Sequence, residues 1–252
     1  TPLYSSAASD VYKRQAGEKY HRKIAAALQL IIEAGREVQP RAAERWLRIM
    51  VVPGFAKRWL TPRLEALRHV RPGLKFAIEP NSTFSEVDAK SSDLGIAYGL
   101  DGQYAESRVS LICPRVFPIC TPAYLASIEA IREPADLARH ELIHFDDGEW
   151  WNMWFAANGL DIQLTSDLIY VNNDHALSVA ESGGGIALAN EVLVREELKA
   201  GTLVRVLEDQ VQLESYRVLT PASEWSEDVE WFIQWLKAEL EADFPEARIE
   251  VR

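Results

Sequence analysis

Cysteine and histidine are scarce in this 252-residue chain, which has two of the first and five of the second. Two thiols, Cys113 and Cys120, cannot form a disulfide framework and suit a reducing compartment. They are either a redox pair or two small buried hydrophobes, and burial is the default for such residues. His140 and His144 stand four apart, but that stretch reads as strand, where the helical geometry of a zinc site is lost. No metal and no cofactor is therefore expected. There is no Gly-x-Ser-x-Gly elbow, zinc signature or dinucleotide fingerprint, which removes every specific reason to propose an enzyme. Nothing approaches the roughly 18 consecutive apolar residues of a membrane span, and the N-terminus shows no secretory apolar core. The expectation is a cytoplasmic protein that does not engage membranes. Basic charge is in deficit: 27 Lys and Arg face 38 Asp and Glu, a net charge of −11. Nucleic acid requires a concentrated basic surface, so this chain alone should bind DNA poorly.

What the chain does contain is alternation. Leu47–Val52 is a short apolar run stopped by Pro53-Gly54, and Leu60, Leu64 and Leu67 then recur at helical spacing. That is a strand, a tight turn and a helix, the first half of a βαβ unit. Further strand-like runs lie at 74–79, 94–98, 110–113, 116–120, 142–145, 168–171, 186–189 and 216–219. Helical patterns lie at 122–127, 149–158, 174–181, 191–198 and 227–239. The alternation predicts a doubly wound α/β protein. Trp225, Val229, Phe232, Ile233, Leu236 and Leu240 share one face of the last helix, which should close a domain against a sheet.

The ends differ from the middle. Residues 1–15 show no period and read as a disordered or non-native tail, and residues 241–252 as a C-terminal tail. Within 16–45, Ile24, Leu28, Ile31, Gly35 and Val38 fall at spacings of 4, 3, 4 and 3, the seam of a coiled coil. At 1.5 Å per residue such a helix spans about 35 Å. It either packs on its own domain or pairs with a second chain, and the 3.5-residue period favours pairing through Ile24, Leu28 and Ile31.

Several segments stand in a familiar order: Val52-Pro53-Gly54-Phe55-Ala56-Lys57-Arg58-Trp59-Leu60-Thr61-Pro62-Arg63-Leu64, Arg71-Pro72-Gly73, Asp93-Leu94-Gly95-Ile96-Ala97-Tyr98-Gly99, Cys120-Thr121-Pro122-Ala123-Tyr124-Leu125, Pro134-Ala135-Asp136-Leu137 and Gly183-Gly184-Gly185-Ile186. Together they resemble the effector-binding domain of LysR-type transcriptional regulators, in the subgroup of the glycine-cleavage activator. Ala16-Gly17-Glu18 is similar to the exit from that family's winged helix-turn-helix, which the sequence before Ala16 does not resemble. The resemblance implies a periplasmic-binding-protein-like type 2 fold: two doubly wound lobes joined by two crossover segments, preceded by a linker helix. Lobe I would be residues 46–121 with 219–240, lobe II residues 122–218, and the crossovers would lie near 116–120 and 216–220. It implies a homodimer or homotetramer that senses a small-molecule effector and contacts DNA only through the winged domain.

The same resemblance places the ligand between the lobes. Gly54, Phe55 and Ala56 form the first strand-to-helix turn, with Phe55 as an apolar wall. Tyr98 ends a strand at the same edge, where it either reaches a ligand or bonds to nearby backbone. Thr121 is either a ligand contact or the cap of the helix opened by Pro122. Asn173 and His175 are the ligand-facing choices of the second turn, and Asp174 would repel an anion unless committed elsewhere. The expected ligand is a small polar or carboxylate metabolite. Trp150, Trp151, Trp154 and Phe155 read as core, and Gly183-Gly184-Gly185 as a helix C-cap. The rival readings are a transport solute-binding protein and a small-molecule enzyme on the same scaffold.

Overall fold

Leu47, Ile49 and Val51 alternate with more exposed neighbours, and this period of two makes β1 (Arg45–Val51) a strand with one buried face. The computed structural model describes residues 45–82, 87, 91–100, 103–104, 109–144, 148–164, 173–221 and 225–245. The expected linker helix, with Ile24, Leu28 and Ile31, and the strand expected at 168–171 lie outside the described residues.

The helical path α1 follows at 53–70 and is irregular for a reason. Pro62 has no amide to donate to Arg58 and its ring crowds that carbonyl. The chain widens to a π-type stretch over Ala56–Leu60, tightens at Thr61–Arg63 and resumes as α-helix over Leu64–Val70. Thr61 Oγ1 donates to the Ala56 carbonyl at 2.7 Å, and Arg63 Nη1 to that of Trp59 at 2.7 Å. The helix thus begins at Pro53, seven residues before the Leu60 start read from apolar spacing.

β2 (Leu74–Pro80) and β3 (Leu94–Gly99) lie parallel to β1 on either side. β4 (Val109–Ile112) is the far edge, and β10 (Ser215–Leu219) runs antiparallel between β3 and β4. The first sheet is ordered β2-β1-β3-β10-β4. Its core gathers Phe55, Trp59, Leu60 and Leu67 of α1 with Val229, Phe232, Ile233, Leu236 and Leu240 of the closing helix α6 (Glu227–Asp243). Those five belong to the six-residue face expected of the last helix, while the sixth, Trp225, precedes it, and Ser226 caps its start by accepting from the Val229 amide.

The second sheet is β6 (Leu142–Ile143), β7 (Ile186–Asn190), β5 (Arg115–Cys120) and β8 (Val204–Arg205), with β9 (Val211–Gln212) also on β5. β5 and β7 are buried on both faces, as a doubly wound sheet requires. Phe117, Ile119, Ala187 and Ala189 meet α4 (Asn173–Glu181) and α5 (Glu191–Ala200) on one side. Val116, Cys120, Ile186 and Leu188 meet Trp150, Trp151, Trp154 and Phe155 of α3 (Glu149–Ala157) on the other. Trp151 and Trp154 satisfy their indole N–H groups on the carbonyls of Ile143 and Val116, so this aromatic face is core. α2 (Pro122–Ser127) and a 3-10 turn at Pro134–Arg139 complete the layer.

The chain changes sheet between Ile112 and Arg115 and again between Gln212 and Ser215. This corrects the expected crossings near 116–120 and 216–220: β5 already belongs to the second sheet and β10 to the first. Strand propensity could not reveal it, because both strands are apolar whichever sheet they join. Cys120 is buried and burial pushes its thiol up to about 11, while Cys113 is half-buried with its Sγ 3.5 Å from the Glu214 carbonyl; the two do not form a disulfide. Gly183 lies at φ 79°, its amide donating to Ala180 and that of Gly184 to Val179, a Schellman C-cap on α4.

Candidate functional site

The carboxyl end of β1 and the first turn of α1 face the start of α4 across the two lobes. Between them is a cleft of about 230 Å3. Four of the residues singled out from sequence meet there: Gly54 and Phe55 on α1, Tyr98 at the end of β3 and Asn173 at the start of α4. Phe55 is fully buried, its ring 4.8 Å from both Trp59 and Tyr216, so it is a core residue that shows one edge to the cleft. Tyr98 packs 4.5 Å from Tyr216 and edge-on to Trp150 of the other lobe. Its hydroxyl is buried without a hydrogen-bond partner, and so is Asn173 Oδ1. Burial pushes the Tyr98 phenol well above its ordinary pKa, with the charge of Glu214 adding to the rise.

Three expected residues are not part of this cleft. Ala56 is turned into the lobe I core beside Phe55. The Thr121 hydroxyl is spent as the N-cap of α2, accepting from the Tyr124 amide at 3.2 Å. His175 is exposed because Ala176, Leu177 and Ala180 fix the buried face of α4 and one residue turns the helix by 100°.

Other lining residues escaped the sequence reading: Val52, Ser82, Asn190, Leu193, Glu214 and Tyr216. Asn190 is fully buried, and its Oδ1 caps α5 by accepting from the Leu193 amide at 3.3 Å. Its Nδ2 donates to the Tyr216 hydroxyl at 3.1 Å, tying the second sheet to the first. An asparagine between a strand and a Glu-rich helix start is a capping signal that could have drawn attention to it.

Asp174 also lines the cleft, and its charge is committed. Arg58 Nε reaches Oδ1 at 2.7 Å and Lys57 Nζ reaches Oδ2 at 2.9 Å. Arg58 goes on to Glu181 at 2.7 Å and Glu197 at 3.1 Å, so one side chain of lobe I holds three carboxylates of lobe II. Burial works against the ionised Asp174, but the hydrogen bonds from Lys57 and Arg58 outweigh it and hold the carboxyl below its ordinary value. Sequence patterning missed this clasp because its partners lie more than a hundred residues apart. A second cleft of about 360 Å3 borders it, but its cations are taken: Lys57 by Asp174, and Arg63 and Arg195 by Asp243.

Two α/β lobes, each begun by one stretch of chain and joined by two connections beside a ligand-sized cleft, are the architecture of periplasmic-binding-protein-like type 2 effector domains. Residues 40–241 match the LysR substrate binding domain, and the chain belongs to that family: it carries the effector domain of a LysR-type regulator. It is 29% identical over 231 residues to the glycine cleavage system transcriptional activator of Escherichia coli K12, covering 90% of this chain and 75% of that protein. In fold it is similar to the effector domain of the regulator AmpR of Pseudomonas aeruginosa, with a TM-score of 0.67 and 23% identity over 79% of this chain and 96% of that one. The AmpR effector binding domain of Citrobacter freundii gives a TM-score of 0.66 at 23% identity, over 79% of this chain and 99% of that one.

Proposed function

We propose that this effector domain binds a small molecule in the cleft between Gly54-Phe55 and Asn173, and that it does so without chemistry. The observation that carries the reading is the pair of buried, unpartnered polar atoms, Tyr98 Oη and Asn173 Oδ1, contributed to one cleft by opposite lobes. A buried polar group left unbonded costs about 1–3 kcal/mol. A ligand that satisfies both atoms recovers that cost only when the lobes are closed on it. It therefore binds closed and open arrangements unequally, which is the condition for shifting a conformational equilibrium. Lobe closure in a self-associated regulator would reorient the subunits, and so the winged helix-turn-helix through which DNA contact is assigned.

Ser82, Tyr98, Asn173, Asn190 and Tyr216 can bind and orient a ligand, and no histidine, cysteine or lysine lines the cleft among the described residues. Calorimetry against a metabolite panel, with NMR of the recovered compound, tests the reading. The expected result is binding without turnover, weakened about tenfold in Tyr98→Phe and Asn173→Ala. A compound that binds both variants like the parent places the site elsewhere, and a compound that is converted makes the protein an enzyme.

A further inference from the structure

α5 packs on the second sheet, yet much of it is spent on lobe I. Val192 is buried within the hydrophobic core of lobe I, the one lobe II residue in that core among the described residues. Its neighbour Leu193 meets the start of α1: a Cβ placed on Gly54 would stand 3.2 Å from Leu193 Cδ1, closer than ordinary van der Waals contact. Arg195 reaches Asp243 of α6 at 2.6 Å, and Glu197 holds Arg58 of α1 at 3.1 Å. Arg58, only 7% exposed, also takes Asp174 and Glu181 of α4.

This seam has the composition of a contact that can part. Beyond Val192 and Leu193 it is polar or charged, and its three acids on Arg58 keep between 18% and 32% of their side chains in water. Small polar interfaces leave relative domain motion as the default. The two connections between the lobes are flanked by the strand pairs Ile112–Tyr216 and Arg115–Gln212, so they run side by side and can act as one hinge. The cleft is lined by Glu214 of that hinge and by Gly54, Asp174 and Leu193 of the seam. Closing the lobes also carries an opposing load, the buried and unbonded Tyr98 Oη and Asn173 Oδ1, which favours parting.

We propose that α5 and Arg58 form a latch that holds the two lobes together before any ligand arrives, and that Gly54 is the position whose missing side chain lets them meet. The latch sets the resting arrangement of the domain whether or not the effector lodges in this cleft, so its test needs no ligand. Spin labels on Glu65→Cys and Glu129→Cys, exposed positions of lobe I and lobe II, report the distance between the lobes in the full chain. Cys113→Ala leaves the buried Cys120 as the remaining native thiol. An excess of unlabelled protein restricts the signal to distances within one chain. The parent should give one narrow distance. Arg58→Met removes the shared partner of three carboxylates, and Gly54→Val drives a wedge against Leu193. Each should raise the population of a second, resolved distance at least about tenfold. Leu193→Ala added to Gly54→Val restores the space and should abolish the second distance, a rescue that general loss of structure would not show. Arg71→Met breaks ion pairs contained within lobe I and should leave the parental distance unchanged. A parent already divided between two distances overturns the proposal. So does a variant at Arg58 or Gly54 that keeps the single parental distance with native circular dichroism, and so does an Arg71→Met chain that opens like Arg58→Met. If one of the two latch variants loses its native circular dichroism, the other decides.

Discussion

Asn190 shows how much one side chain can join. It ends β7, caps α5 and hydrogen-bonds Tyr216 of the other sheet, all while fully buried. Asn190→Ala removes a cap worth about 0.5–2 kcal/mol and leaves the buried Tyr216 hydroxyl without its donor. The expected loss is about 2–3 kcal/mol by chemical denaturation. A loss below about 0.5 kcal/mol would mean that neither bond matters. Phe55 has the reverse lesson. From sequence it is a ligand wall, yet it is so completely packed between Trp59 and Tyr216 that Phe55→Ala would cost about 3–5 kcal/mol. Loss of binding in that variant would report on the core as much as on the cleft, so Tyr98 and Asn173 are the cleaner probes.

Elements differ in how far the sequence announces them. α2 is found at Pro122–Ser127 and α6 with its expected buried face, because a proline, a cap and a strong apolar stripe act locally. The early start of α1 was hidden, since Pro53-Gly54 also reads as a turn and Pro62 sits where a helix should have broken. β8 and β9, two residues each, carry no period to detect. The lining of the candidate cleft was legible where strand ends meet helix starts, at Gly54, Tyr98 and Asn173. It was illegible at Asn190, which reads only as a helix cap, and at Glu214 and Tyr216, which reach the cleft where the chain returns to the first sheet. The clasp between α1 and α4 is likewise a tertiary fact, and it is testable at this scale. Arg58→Met strands three carboxylates together and should cost about 2–3 kcal/mol, less than a fully buried pair because the acids remain partly exposed. Asp174 adds a pH dependence. Its carboxyl is held below the ordinary value, so its contribution is complete above about pH 4 and is lost as pH falls through the depressed pKa. Denaturation midpoints measured from pH 5 to pH 2.5 should fall more steeply for the parent than for Asp174→Asn, and parallel curves would remove Asp174 from the clasp.

At the scale of the whole molecule, self-association is proposed through the 3.5-residue seam of Ile24, Leu28 and Ile31. Leu28→Glu with Ile31→Glu should lower the sedimentation coefficient while leaving the circular dichroism of the effector domain unchanged, and an unaltered oligomer would assign assembly to other surfaces. The two connections between the sheets bear on a different matter, the order in which this architecture can be taken apart. Ile112 and Tyr216 are direct neighbours in the β4–β10 ladder, although 103 residues of chain separate them. Everything from Arg115 to Gln212 leaves and re-enters the first sheet through that single doorway. Topologically, lobe II is a guest inserted into a hairpin of lobe I. Replacing residues 113–215 with a two-residue Asn-Gly turn would join the paired Ile112 and Tyr216 as a hairpin. The shortened chain should retain a cooperative unfolding transition and bind none of the metabolites that the parent binds. The excised guest would be the less secure half, since its α5 loses the Asp243 partner of Arg195 and its capping Asn190 loses Tyr216. Lobe I, by this account, is the host fold on which sensing was installed.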